Sequence, residues 1–331
     1  MFIVDSYSTA VFLCIITMLC WGSWANTTKL TGNGWRFELF YWDYVTGILI
    51  TSIVLAFTLG STGTEGRPFL SDLIQADRAS LLSALFGGVV FNAANILLGA
   101  SIDIAGMAVA FPVGIGLALV IGVVLNYLDA PVGDPAMLFT GVALVVLAII
   151  LNAAAYRRAQ QQSAGVSTKG IMLALVSGAM MGLFYRYVAA SMFPDFHVPV
   201  DGKLSPYTAV VLFSAGILLS NVVFNSLMMA RPFRGTPVTY AQYFGGSIRN
   251  HLVGMAGGLI WCIGMSFNMI ASGTAGPAIS YGLGQGATVI AALWGIVVWK
   301  EFRGAPAGTD RLLGFMLLGY VLGLVLIISA R

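Results

Sequence analysis

Asp43 stands between Trp42 and Tyr44 in one apolar stretch of the chain, and Arg186 stands between Tyr185 and Tyr187 in another. On insertion scales a charge at the centre of a membrane helix costs ~2.5–3.5 kcal/mol, so each needs a reason. Asp43 falls a few residues into its helix, roughly 7 Å deep at 1.5 Å per residue. A carboxylate there could take up a proton in one state of a binding site and give it up in another. Equally, it could reach back to headgroup water from within an aromatic belt. Arg186 lies deeper, where its planar fork suits Asp43 or a substrate carbonyl. The alternative is that it snorkels to the nearer surface or makes a structural pair.

Neutral hydrogen-bonding groups point to a neutral solute. Asn92 and Asn95 are three residues apart and share a helix face, as do Tyr281 and Gln285, which are four apart. A carboxamide in hydrocarbon has to face protein or a cavity. Its paired donor and acceptor complement the amide edge of a ring or the hydroxyls of a sugar. Asn95 and Gln285 are therefore candidate substrate contacts, whereas Asn92, Asn221 and Asn225 read as interhelical glue. Trp21 and Trp24, also three apart, offer faces on which a flat ring or the apolar side of a sugar would stack; a packing pair is the other reading.

No HExxH, phosphate-binding glycine loop or cysteine–histidine cluster is present, so no metal or other cofactor is expected, nor enzymatic or ATP-driven chemistry. Cys14, Cys20 and Cys262 lie inside apolar runs and read as small hydrophobes. His197 and His251 fall near span ends and read as interfacial.

The elements that must position these residues follow from the composition. Of 331 residues, 58% are hydrophobic and 9% are charged, with a mean hydropathy of +0.90. A soluble domain carries about 25% charged residues, so this chain cannot cover a watery surface. The net charge of +3 comes with no basic run that would suit nucleic acid. A bilayer core needs about 20 apolar residues of helix. Uncharged runs of that length predict an all-α integral membrane protein with ten transmembrane helices, over 7–28, 38–60, 80–101, 104–127, 135–156, 170–193, 206–230, 250–272, 276–299 and 311–330. Away from the span ends, only Asp43 and Arg186 are charged by that count. The segment Leu70–Ala79 is weakly amphipathic and is expected on the membrane surface.

Basic residues in the loops set the orientation. With the N-terminus outside, eleven Lys and Arg fall on the cytoplasmic side and four outside, which predicts a plasma (inner) membrane protein with both termini out. The first span lacks a basic start and a cleavage site, so it is expected to stay in place.

The segment Gly87–Gly116 aligns with Gly257–Gly286 at an offset of 170, without a gap. Seven of its 30 positions are identical, Ala108/Ala278 among them, and Phe91 matches Trp261. This lays helices 3–4 on helices 8–9, so residues 1–156 form one five-helix repeat, 157–169 a cytoplasmic linker, and 170–331 the second repeat. Five is odd, so the second repeat enters the membrane upside down. Inverted repeats build alternating-access transporters with the substrate near the midplane. Clustered glycines in helices 4 and 9, with Pro112 bending the former, suit a close contact between those two helices.

Ten helices in two repeats resemble the drug/metabolite transporter superfamily. The tail Trp294-Gly295-Ile296-Val297-Val298-Trp299-Lys300-Glu301-Phe302 looks like that superfamily's recurrent ending, an apolar helix closed by Gly or Lys and then Glu. More narrowly, the chain is similar to the ureide permease family. The matching pieces are Trp21-Gly22-Ser23-Trp24, Asp43-Tyr44, Gly87-Gly88-Val89-Val90 with Asn95, and Leu125-Asn126-Tyr127. The resemblance implies a permease for small cyclic ureides and nucleobases such as allantoin or uracil, moved with protons. It departs from the plant members, which carry a long central loop where this chain has only Arg157–Lys169. The related glucose and rhamnose permeases share the ten-helix plan.

The expected partners are thus a small-molecule substrate, protons and the lipid bilayer, with the protein a monomer or homodimer. Asp43 is the candidate proton carrier. Trp21, Trp24, Asn95, Arg186, Tyr281 and Gln285 are the candidate substrate contacts. A monosaccharide permease and an uncoupled facilitator or channel are the competing readings.

Overall fold

The computed structural model describes residues 1–32, 34–106, 110–159, 167–233 and 235–331. Ala108 of the repeat match, Arg234 of the charge count and the middle of the 157–169 linker lie outside the described residues. Ten helices among those described are long and apolar enough to cross a membrane. They are α1 (Tyr7–Leu30), α2 (Phe37–Phe57), α3 (Arg78–Ala105), α4 (Phe111–Asp129), α5 (Pro135–Ala159), α6 (Thr168–Ser191), α7 (Pro206–Ala230), α8 (Ile248–Ala275), α9 (Pro277–Val298) and α10 (Thr309–Ser329). The chain is a multi-pass membrane protein.

Backbone polar groups in hydrocarbon must be satisfied internally, and helices do this within the segment. The exposed first turns are capped by side chains. Ser6, Asp77, Ser167, Ser205 and Ser247 accept the N–H three residues on, each at the start of a span. The boundary between α3 and α4 falls later than expected, because Asp103 does not end α3. Gly106 does, with a φ of 77° that side chains rarely adopt. Gly276 (φ 84°) ends α8 in the same way. Phe12, Leu82, Leu219 and Phe315 are each more than half exposed on the outside of the bundle, as a hydrocarbon solvent requires.

Three spans depart from a regular α-helix. Residues Trp24–Leu30 continue α1 as a 3-10 helix. At Pro112, α4 starts with a π-helical turn, Phe111–Ile115. Near its middle, α9 breaks between Gly284 and Ala287.

Helix α3 packs on α6 and α7, α8 packs on α1 and α2, α4 on α6 and α9, and α5 on α10. The closest approaches use glycines. A Cβ on Gly88 would lie 2.0 Å from the Phe213 carbonyl oxygen, and one on Gly258 2.0 Å from that of Tyr44.

On the face carrying the N-terminus, the 2–3 and 6–7 connections are bonded together. The short helix Phe69–Gln75 lies there, with Leu70 and Ile74 exposed and Asp72 buried. Asp72 accepts the Ser205 N–H at 2.7 Å and pairs with Arg67, which also reaches Asp201 at 2.9 Å. Gln75 bonds the backbone of Lys203 and Gly202.

Candidate functional site

A cavity of about 980 Å³ runs from the centre of the bundle to the opposite face, where exposed Gly235 and Thr236 form its rim. Its floor is aromatic. Trp261 of α8 lies nearly parallel to Trp21 of α1, with centroids 5.8 Å apart, and meets Phe91 of α3 at 4.6 Å. Trp21 donates its indole N–H to the Trp261 carbonyl at 3.2 Å. Trp24 lines the wall and stacks on Tyr44 at 4.4 Å. Phe184 of α6 closes the far side, 5.1 Å from Phe91.

Polar groups join this floor from three helices. Asn95 lines the cavity and donates from Nδ2 to the Tyr41 hydroxyl at 3.0 Å; that hydroxyl donates to Asn92 Oδ1 at 2.9 Å. Asn92 is fully buried and bonded to Ser220 and the Ile217 carbonyl. Gln285 and Thr288 line the opposite wall at the break in α9, where Thr288 donates to the Gln285 carbonyl at 3.0 Å. Broken helices at mid-bundle free backbone groups for a solute.

Charge gathers at the mouth. Glu38, buried in the first turn of α2, binds the Arg36 guanidinium, with Nε 3.1 Å from Oε2. Arg36 also donates to the Thr236 carbonyl across the opening. Asp103, near the end of α3, lines the same mouth. The spans therefore hold more charge than Asp43 and Arg186. Counting helices as uncharged runs placed Glu38 and Asp103 at helix ends, whereas a carboxylate facing a cavity is compatible with a continuing helix.

Asp43 does not line the cavity. It sits behind the wall, between α2 and α8, where Tyr243 donates its hydroxyl at 2.7 Å and His251 Nδ1 approaches at 2.9 Å. A Cβ on Gly254 would lie 2.5 Å from Asp43 Cβ, so the glycine is what admits the carboxylate between the helices. His251, expected at the membrane interface, is instead half-buried, with the edge of Trp35 against it at 5.3 Å. Tyr243 comes from the short helix Tyr240–Phe244 that precedes α8. Burial, then the bond to Asp43 and its charge, push this phenol above its ordinary range, so it remains a donor.

Arg186 also lies elsewhere. Its guanidinium grips Asp129 at the end of α4 with bonds of 2.5 and 2.9 Å. Both residues line a second cavity of about 520 Å³ on the N-terminal face, with Asn126, Phe193 and Ser272. Tyr281 lies between the two cavities and opens onto neither. It is fully buried, its ring packs where a Gly122 Cβ would stand, and its hydroxyl is 3.2 Å from the carbonyls of Ala118 and Met181. Tyr185 packs edge-on against it at 5.0 Å, so the two rings form a partition.

Of the seven residues singled out from sequence, Trp21, Trp24, Asn95 and Gln285 share the main cavity; Asp43, Arg186 and Tyr281 do not. Trp261, Phe91, Glu38 and Asp103 join the site unforeseen. Among the described residues, only Asp5, Glu65 and His197 gather three ligand types, all exposed. There His197 turns one ring nitrogen to each carboxylate, Nδ1 to Glu65 at 2.7 Å and Nε2 to Asp5 at 3.2 Å, so the two carboxylates flank the ring on separate edges.

Comparison with known proteins places these features in context. A family model described as ureide permease matches residues 40–168 and 155–330. The chain is similar to ureide permease 4 of Arabidopsis thaliana, 24% identical over 100% of this chain and 99% of the relative, and to ureide permease 2 of the same plant at 23% over the same shares. It is also similar to the glucose uptake protein GlcU of Bacillus subtilis (strain 168), 26% identical over 97% of this chain and 96% of that one. A solved crystal structure aligns with a TM-score of 0.63 over 97% of this chain and 98% of its own, at 15% identity, a likeness of fold.

Proposed function

The chain belongs to the ureide permease family, and we propose that it moves a small neutral ring solute such as a ureide or nucleobase across a plasma (inner) membrane by alternating access, coupled to protons. One observation carries this reading. A cavity in the middle of the bundle brings aromatic faces (Trp21, Phe91, Trp261) together with carboxamides (Asn95, Gln285) and ends its charges at the mouth. Such a lining stacks a flat ring and matches amide edges, while offering no unpaired charge to a charged solute at its floor.

Alternating access draws support from the packing. Advancing each helix number by five exchanges the pairs α3–α6 with α8–α1 and α2–α8 with α7–α3, and leaves α4–α9 and α5–α10 unchanged. The same shift turns the Gly88–Phe213 approach into that of Gly258 on Tyr44. Two inverted five-helix repeats account for this, with residues 157–169 joining them. With both termini outside, the main cavity faces the cytoplasm and the bonded 2–3 and 6–7 connections close the outer side.

Asp43 is the proposed proton carrier. Its carboxylate on α2 is held by His251 on α8 and by Tyr243 from the 7–8 connection, so a proton there changes how firmly α2 and α8 grip one another. Arg186 and Tyr281, off the cavity in this conformation, would serve at the outer side and the partition. The protein acts as a monomer or homodimer.

A monosaccharide is the second reading, because the relative from Bacillus subtilis is a glucose uptake protein by name and matches nearly the whole chain. The deciding experiment uses purified protein in liposomes with an imposed inward proton gradient. Radiolabelled allantoin and uracil should accumulate above equilibrium. Uptake that only equilibrates speaks for a facilitator, and competition by glucose but not uracil for the sugar reading.

A further inference from the structure

The cavity holds a hydrogen-bond network whose direction can be read atom by atom. The side-chain amide of Asn92 faces the Ile217 carbonyl at 3.3 Å, and a carbonyl accepts only. The amide nitrogen must therefore lie on that side, and it also donates to Ser220 Oγ at 2.9 Å, whose own proton goes to the backbone of α7, where the Gly216 and Ile217 carbonyls lie at 2.8 and 3.0 Å. This leaves Asn92 Oδ1 facing Tyr41. A phenol has one proton, and here it is spent on Asn92 Oδ1. Toward Asn95, 3.0 Å away, the Tyr41 oxygen can only accept. Asn95 must then give it Nδ2, which leaves Oδ1 as the amide end with no donor among the described residues.

We infer that Asn95 is held as a hydrogen-bond acceptor toward the cavity, and that the solute it selects is a flat ring carrying an N–H at that edge. The inference rests on the reading of this cavity as the substrate site. Asn95 is the contact residue. Tyr41 and Asn92 are positioning residues, and the reference that fixes all three is the backbone of α7. An isolated asparagine can turn over and serve either polarity, whereas this one cannot turn without setting two donors or two acceptors face to face. The aromatic floor does not discriminate between rings of similar area, so the polarity of Asn95 supplies the choice.

The test compares uracil with 1,3-dimethyluracil, the same ring without an N–H, by calorimetric titration of the purified protein. Wild type should prefer uracil by at least about tenfold, since a site built around a hydrogen bond rejects the analogue that leaves its group unpaired. In Asn95→Leu the preference should fall toward one while dimethyluracil binding persists on the aromatic floor. Tyr41→Phe frees the Asn95 amide to turn and should reduce the preference while the Asn95 side chain remains. A purely structural Tyr41 would weaken both ligands together and leave their ratio unchanged, which would overturn its positioning role. Equal binding of the two rings by wild type overturns the acceptor assignment and leaves the site standing. Binding of neither ring by the folded protein overturns the site, and the assignment with it.

Discussion

Phe91 and Trp261 are 170 residues apart, the same offset that aligns the two halves of the chain, and their rings meet at 4.6 Å on the floor of the main cavity. Two positions exchanged by a two-fold rotation can touch only where they straddle its axis. With the proposed inverted repeats, this pair marks that axis. A solute resting on it is equally close to both faces of the membrane.

Replacing Trp261 with Ala should weaken solute binding by roughly 10- to 100-fold, since stacking of a base on an aromatic ring is worth about 1–3 kcal/mol. Trp261→Phe keeps a stacking face and should retain most of the affinity. Titration calorimetry with uracil reads both. Wild-type affinity in Trp261→Ala would remove this ring from the site.

The glycine contacts predict a graded stability series. Gly88→Ala and Gly258→Ala each push a methyl group into a neighbouring backbone carbonyl and should cost at least the ~1–3 kcal/mol typical of overpacking. Gly314→Ala, on an exposed face of α10 with nothing within 4 Å, should gain up to ~1 kcal/mol of helix propensity. Thermal unfolding in detergent gives the order. A Gly88→Ala protein as stable as wild type would contradict the close packing of α3 on α7.

Asp43→Asn should abolish uphill uptake under a proton gradient while sparing counterflow exchange of solute, because the cavity lining is untouched. His251→Gln should lower the uphill rate by loosening the same contact. Both are measured in the same liposomes, and undiminished accumulation by Asp43→Asn would exclude this carboxylate from coupling.

Lys300 follows α9 with a φ of 52°, in the left-handed region, so that the Glu301 N–H can reach back to the Gly295 carbonyl. That conformation costs a residue with a Cβ roughly 1–2 kcal/mol. Glycine is the residue that would adopt it at no such cost. Lys300→Gly should be neutral or mildly stabilising, and Lys300→Val destabilising by about 1–2 kcal/mol or more. Equal melting temperatures for the two would rule out backbone strain as the constraint.

The ten helices were legible because twenty apolar residues in a row have few other uses. Trp21, Trp24, Asn95 and Gln285 were legible because polar and broad aromatic side chains stand out against Leu, Val and Ala. Glu38 and Asp103 were not, since a charge near the end of an apolar run looks the same whether it meets water or a cavity. The Asp43–His251 contact joins residues 208 apart and exists only because α2 packs on α8. Arg186 makes a structural pair, one of the two readings its helix position left open; its partner Asp129 comes from another helix that ends on the same face, which spacing along one helix does not show.

The inner end of α1 stores length. Seven residues, Trp24–Leu30, are wound as a 3-10 helix, a long run for that geometry. At about 2.0 Å per residue against 1.5 Å in an α-helix, rewinding them would retract the end by roughly 3.5 Å. The tighter 3-10 winding turns each residue about 20° further, so the same change would swing Leu30 through roughly 140° relative to Ser23. Trp24 and Thr28 now face the cavity, and Lys29 at the tip pairs with Glu301 beyond α9. A change of winding in about two turns of backbone would thus pull on α9 while turning the wall of the cavity, so that a linear stroke and a rotation share one spring.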